Sequence, residues 1–182
     1  MLGFVFAPSK RYIEPQQAAQ IAGAVSGIAK VGVFVDEEAE RVNQIAELCQ
    51  LDFVQLHGRE DRSYCSRMQR PVIKAFRISK ECDDRQVNDY PVKFALLDSY
   101  LPGQNGGTGV AFDWQQAQKT CSLIKIPVLV AGGLTAANVA EAVAILKPAG
   151  VDVSGGVETE GVKDIRKITQ FIQAARAAQR GC

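Results

Sequence analysis

Short apolar runs alternate with longer amphipathic stretches along all 182 residues, and this alternation limits the fold more than any other feature of the sequence. The runs cover residues 2–7, 31–35, 53–56, 72–78, 94–97, 127–131 and 151–153. Nearly continuous in Val, Leu, Ile, Ala and Phe, they read as strands buried on both faces. Helical patterns lie between them. Residues 15–28 carry Ala18, Ile21, Ala22 and Val25 at helical spacing, and residues 37–49 carry Ala39, Val42, Ile45, Ala46 and Cys49 on one stripe. A polar helix is expected over 59–69, a weak one over 80–88 and another over 114–122. Thr135 is placed to cap a helix running to residue 146, and Asp164 to open a last one through Ile168, Phe171, Ile172 and Ala175.

Such alternation with short links predicts right-handed βαβ units on a parallel sheet. Seven units in 182 residues repeat every 26 or so, close to the ~25 of a compact barrel unit. A doubly wound sheet would carry a GxGxxG or GxxxxGK[ST] loop after its first strand. Neither motif is present, and the glycine-rich segments follow the fifth, sixth and seventh strands, a barrel habit. The expected fold is α/β: a TIM (β/α)8-type barrel, incomplete, with seven of eight units, in a single domain over residues 1–182. A complete barrel takes about 250 residues and rarely fewer than about 200.

Composition excludes several function classes. At 47% hydrophobic and 23% charged, the chain is neither disordered nor collagenous. A net charge of +1 provides no basic field for nucleic acid. One histidine is too few for an ordinary His/Cys zinc site. Cys49, Cys65, Cys82, Cys121 and Cys182 are odd in number and contain no CxxC, which fits a reducing cytosol. Residues 1–6 lack a basic leader and are too few to span a membrane, so the expectation is cytoplasmic with no membrane partner.

Chemistry concentrates where strands end. Ala131-Gly132-Gly133-Leu134-Thr135 closes one strand, and Ser154-Gly155-Gly156-Val157 follows the next. Glycines there let backbone N–H groups approach an anion, with help from a helix N-terminus; the alternative is a pair of plain tight turns. Asp98 follows the apolar run Ala95-Leu96-Leu97. A buried carboxyl holds its proton more tightly, which suits general-acid work, although a cap or an ion pair would use the same residue. Residues 102–109 hold four glycines in eight, the composition of a loop that folds over substrate or of an ordinary surface loop. Gln55 and His57 flank Leu56 and so share one face of a strand. Lys10 and Arg11 follow the first strand, and Arg suits bidentate capture of a carboxylate. Lys74, inside an apolar strand, reads as a buried counter-charge for an anionic ligand or as that strand's outward residue.

These motifs together resemble the phosphoribosylanthranilate isomerase family. The resemblance runs in order through Gly3-Phe4-Val5-Phe6-Ala7, Ser9-Lys10-Arg11, Val31-Gly32-Val33-Phe34-Val35 and Val54-Gln55-Leu56-His57-Gly58. It continues through Leu97-Asp98-Ser99, Gly106-Gly107-Thr108-Gly109, Phe112-Asp113-Trp114, Ala131-Gly132-Gly133-Leu134 and Gly150-Val151-Asp152-Val153-Ser154. Gly156-Val157-Glu158 and Gly161-Val162-Lys163-Asp164 complete it. The resemblance implies a step of tryptophan biosynthesis. This is the Amadori rearrangement of N-(5-phosphoribosyl)anthranilate to 1-(2-carboxyphenylamino)-1-deoxyribulose 5-phosphate, without metal or organic cofactor. It implies Asp98 as general acid on the furanose ring oxygen and Arg11 as the holder of the anthranilate carboxylate. Gly132, Gly133, Ser154 and Gly155 would bind phosphate, and Gln55, His57 and Asp152 would line the pocket. The implied partner is a small phosphosugar, with the protein a monomer or homodimer.

Two departures accompany the resemblance. Ser154-Gly155-Gly156 stands where a Ser-Ser-Gly is usual, so a hydroxyl is missing from the phosphate site. The family's first strand, ending in Lys-Ile-Cys-Gly, has no counterpart, and with it goes the Cys that acts as general base on the second sugar carbon. None of the five cysteines replaces it by position; Cys82 comes nearest to the catalytic face. Three readings follow: an isomerase whose sequence starts at an internal Met, an inactive seven-unit phosphosugar-binding barrel, or another phosphosugar-processing barrel. The seven-unit form is expected to be poorly stable alone, because two apolar parallel strands would lie at open edges.

Overall fold

A computed structural model describes residues 1–77, 87–98 and 114–180. The weak helix expected over 80–88, the glycine-rich loop 102–109, Cys82 and Cys182 lie wholly or largely outside the described residues. The chain forms two compact units, Met1–Ala75 with Asp89–Ala95, and Phe76–Asn88 with Leu96–Cys182.

In the first unit, strands β1 (Leu2–Val5), β2 (Lys30–Phe34), β3 (Phe53–Leu56) and β4 (Val72–Arg77) are sheet neighbours in chain order. Their pairing is parallel, with Leu2 opposite Lys30, Val31 opposite Phe53 and Val54 opposite Val72. Helices α1 (Pro15–Ala24) and α2 (Ala39–Leu48) connect them. Pro15 opens α1, where a missing N–H costs nothing. Ala18 and Ala22 on α1 and Val42, Ile45 and Ala46 on α2 are buried in one cluster with Phe4, Phe6, Phe34, Val54 and Leu56. The Phe6 and Phe34 rings stack at 5.2 Å. Gly32 is required beneath them, because a Cβ there would meet Leu51 Cδ1 and the Phe34 ring.

Two helices are shorter than their periodicity predicts. The first stops at Ala24 instead of reaching residue 28, since Val25 turns extended and Gly27 takes φ +74°. The polar helix expected over 59–69 shrinks to one turn, α3 (Arg62–Cys65). Asp61 caps it, accepting from the Tyr64 N–H at 2.8 Å and the Ser63 hydroxyl at 2.9 Å. Asn43 on α2 then holds the segment that follows, donating to the Arg67 carbonyl and accepting from the Gln69 N–H.

The second unit carries the end of β5 (Phe94–Asp98), then β6 (Val128–Ala131) and β7 (Gly150–Val151), with Leu129 opposite Gly150. Helices α4 (Trp114–Leu123), α5 (Val139–Leu146) and α6 (Ile165–Arg180) belong to it. Thr135 does not cap α5. The Asn138 side chain accepts from the Thr135 N–H at 2.8 Å and donates to the Gly133 carbonyl at 3.1 Å, so residues 135–138 form a turn before the helix starts. Asp164 does open α6, accepting from the Arg166 N–H at 2.9 Å. A hairpin that periodicity gives no sign of, β8 (Glu158–Thr159) and β9 (Val162–Lys163), turns through Glu160 and Gly161, both at positive φ. No helix among the described residues is long and apolar enough to cross a membrane.

Phe34 is 1% exposed and touches both the aromatic stack and Gly32. Phe34→Ala is expected to lower the unfolding free energy by about 3–5 kcal/mol, read as a shifted urea midpoint at unchanged slope.

Candidate functional site

In the second unit, two strand ends build a cradle of backbone. β6 is buried throughout and ends at Ala131. Gly132 and Gly133 follow at φ +88° and +62°, a left-handed pair that L side chains rarely adopt. Leu134, 2% exposed, pins the turn to the core. The next strand end lies alongside, the Asp152 N–H donating to the Val130 carbonyl at 2.8 Å. After it, Gly155–Val157 form a single 3-10 turn anchored by buried Val157. A Cβ at Gly156 would fall on the Leu134 carbonyl, so the two glycine loops are in backbone contact. Consecutive N–H groups in such turns form a concavity that suits an oxyanion.

Ser154 in this cradle is held from one side. The Lys163 ammonium donates to the Ser154 carbonyl at 2.8 Å and to its hydroxyl at 3.2 Å. Glu158 pairs with the same ammonium at 3.0 Å from a side chain only 7% exposed. The sequence signal for Lys163 was its place in Gly161-Val162-Lys163-Asp164, but nothing there indicates a hairpin that folds it back. Asp98 is the last residue of β5 and half-buried, directly after Ala95, Leu96 and Leu97, each fully buried. Asp152 is exposed just beyond β7.

In the first unit, Gln55 and His57 do share a face. The Gln55 amide nitrogen stands 3.3 Å from His57 Nδ1. Gln55 is buried and the imidazole half-exposed. Arg11 sits in a loop tied by its own N–H to the Ser9 hydroxyl at 3.1 Å and by a bridge between Val5 and Tyr12. Lys74 is not its strand's outward residue. It is 3% exposed, points inward and pairs with Glu60 at 3.0 Å. Periodicity hid Glu60 because it falls within the polar stretch expected to be helical.

The cysteines of this unit are poor bases. Cys49 and Cys65 are buried. Burial pushes the Cys65 thiol up to about 11 and raises Cys49 as well. Cys49 donates its S–H to the Pro15 carbonyl at 3.3 Å.

A family model described as N-(5'phosphoribosyl)anthranilate (PRA) isomerase matches residues 1–174. The N-(5'-phosphoribosyl)anthranilate isomerase of Desulforudis audaxviator (strain MP104C) is 46% identical over 180 residues, 97% of this chain and 87% of that one. The crystal structure of phosphoribosyl anthranilate isomerase from Thermotoga maritima superposes with a TM-score of 0.86 at 39% identity, covering 96% of this chain and 87% of that one. A phosphoribosyl anthranilate isomerase in complex with reduced 1-(o-carboxyphenylamino)-1-deoxyribulose 5-phosphate superposes at 0.82 with 36% identity, covering 96% and 86%.

Two outcomes follow from this geometry. Gly156→Ala drives a methyl into the Leu134 carbonyl and parts the loops. The variant should lose about 1–3 kcal/mol of unfolding free energy, read as a lower urea midpoint. Iodoacetamide at about pH 8 should leave Cys49 and Cys65 unmodified in the folded protein and alkylate both in urea, as mass spectrometry would report.

Proposed function

Because this chain belongs to the N-(5'-phosphoribosyl)anthranilate isomerase family, whose members are TIM-barrel isomerases of tryptophan biosynthesis, we propose specific residues for its reaction. The reaction is the Amadori rearrangement of N-(5-phosphoribosyl)anthranilate. The observation that supports the assignment is the backbone contact between the loops after β6 and β7, which sets the two glycine runs side by side. Gly132, Gly133, Ser154 and Gly155 hold the phosphate through backbone donors, which need no second serine. Lys163, fixed on Ser154, adds positive charge beside the same loop.

Asp98 is the general acid. Its carboxyl gives a proton to the furanose ring oxygen as the bond from that oxygen to the first sugar carbon breaks. The anilino nitrogen supplies the electron pair, leaving an iminium at that carbon. A base takes the proton from the second carbon to give an enolamine, and protonation of the first carbon with loss of the 2-hydroxyl proton leaves the ketone. The isolation of Cys49 and Cys65 in the core argues against either as the base for the middle step. Arg11 holds the anthranilate carboxylate, and Gln55, His57 and Asp152 line the pocket. The substrate is a small phosphosugar, the protein a monomer or homodimer, and the buried thiols Cys49 and Cys65 suit a cytoplasmic setting.

The test follows anthranilate fluorescence, which falls as the isomerase acts. Asp98→Asn should lower kcat by about 10²–10⁴ while the variant still binds the reduced product analogue. Binding of the analogue by the parent chain with no turnover would overturn the isomerase reading in favour of a phosphosugar-binding protein.

A further inference from the structure

Gln55, Glu60 and Lys74 are the buried polar or charged residues among the described ones, at 7%, 5% and 3% exposed. All three converge on the C-terminal end of β3. The Lys74 ammonium lies 3.2 Å from the Leu56 carbonyl, 2.9 Å from that of Gly58, 3.2 Å from that of Ala75 and 3.0 Å from Glu60 Oε2. Glu60 in turn accepts from the Gly58 N–H at 2.9 Å and from the Asp36 N–H at 2.9 Å. Leu56 and Gly58 are the two neighbours of His57, whose own N–H donates to the Phe34 carbonyl at 2.8 Å. The peptide groups on both sides of the imidazole are therefore tied to one buried ion pair.

Stability does not explain such a pair. Two charges removed from water recover little more than their desolvation cost, and apolar residues of similar volume often serve as well. What the pair does supply is direction. The ammonium reaches the carbonyls of Leu56 and Gly58 on either side of His57, and the carboxylate reaches the amides of Gly58 and Asp36. A Cβ on Gly58 would collide with the Asp36 carboxylate, so this backbone has no slack on its other side.

We propose that the buried Lys74–Glu60 pair is a positioning device that fixes the Leu56–Gly58 backbone and so sets where the His57 imidazole and the Gln55 amide stand in the substrate pocket. This rests on the reading of Gln55 and His57 as pocket residues. Neither charge touches the substrate; both act through the strand end.

His57 is the chain's one histidine, so its ring nitrogens give unambiguous NMR signals. The full chain carrying Lys74→Met with Glu60→Leu should stay folded with a cooperative melt, yet its imidazole ¹⁵N resonances should move and broaden. KM for the phosphosugar should rise about tenfold with kcat within about threefold, the pattern of lost ground-state binding. In a His57→Ala background the same pair of changes should add less than about twofold, because coupled residues do not add. If the apolar pair unfolds the chain, Glu60→Gln keeps the volume, removes the charge and carries the same readouts. A folded variant with unmoved His57 resonances would overturn the proposal. A parent chain that binds no substrate would sink the pocket reading, and the NMR result would still decide the positioning.

Discussion

Where a buried parallel strand ends, its ladder stops, but its peptide groups still need partners. That requirement organises the functional ends of this chain. After β3 the carbonyls of Leu56 and Gly58 are met by an ammonium, and the Gly58 amide by a carboxylate. After β6 the glycines turn left-handed, and the Asn138 side-chain amide donates to the Gly133 carbonyl. After β7 the Ser154 carbonyl is met by Lys163. Each strand end solves the same problem differently.

The three solutions differ in what they cost. The pair at β3 is sealed from water, so its attraction is strong and its desolvation penalty heavy. Lys163 and Glu158 have one wet partner and one dry, an arrangement that lets solvent share the charge. The surface pairs of this unit's neighbours in sequence, Arg67 with Glu40 and Arg70 with Glu47, are exposed and add little beyond fixing a loop. Charge in this chain therefore matters most where it is least accessible.

Strands were legible in the sequence because burial on both faces writes itself as an unbroken apolar run: Phe53–Leu56 and Val128–Ala131 sit within a residue of where those runs fall. Helix ends were less so. Ile21 and Val25 continue the period of α1, but the chain leaves the helix at Ala24 because Val25 is extended and Gly27 takes a positive φ. In the polar stretch from Arg59 the first inward residue, Glu60, is charged, and a period read from apolar side chains cannot register it. The partner of Lys74 was hidden for the same reason: it lies 14 residues away and is visible only in three dimensions. The hairpin at Glu158–Lys163 has strands of two residues each, too short for any alternation. Motifs at strand ends were the readable part of the site. The cations that brace them were not, since bracing is a matter of distance and not of spacing along the chain.

The Glu160–Gly161 turn has a thermodynamic consequence for ligand capture. By folding back, it delivers Lys163 to Ser154 nine residues earlier and closes the segment into a ring held by hydrogen bonds. The entropy of ordering that ring is lost when the protein folds, before any ligand arrives. The Ser154 loop is therefore ordered before it meets any other molecule, and little of its backbone freedom remains to be lost on contact.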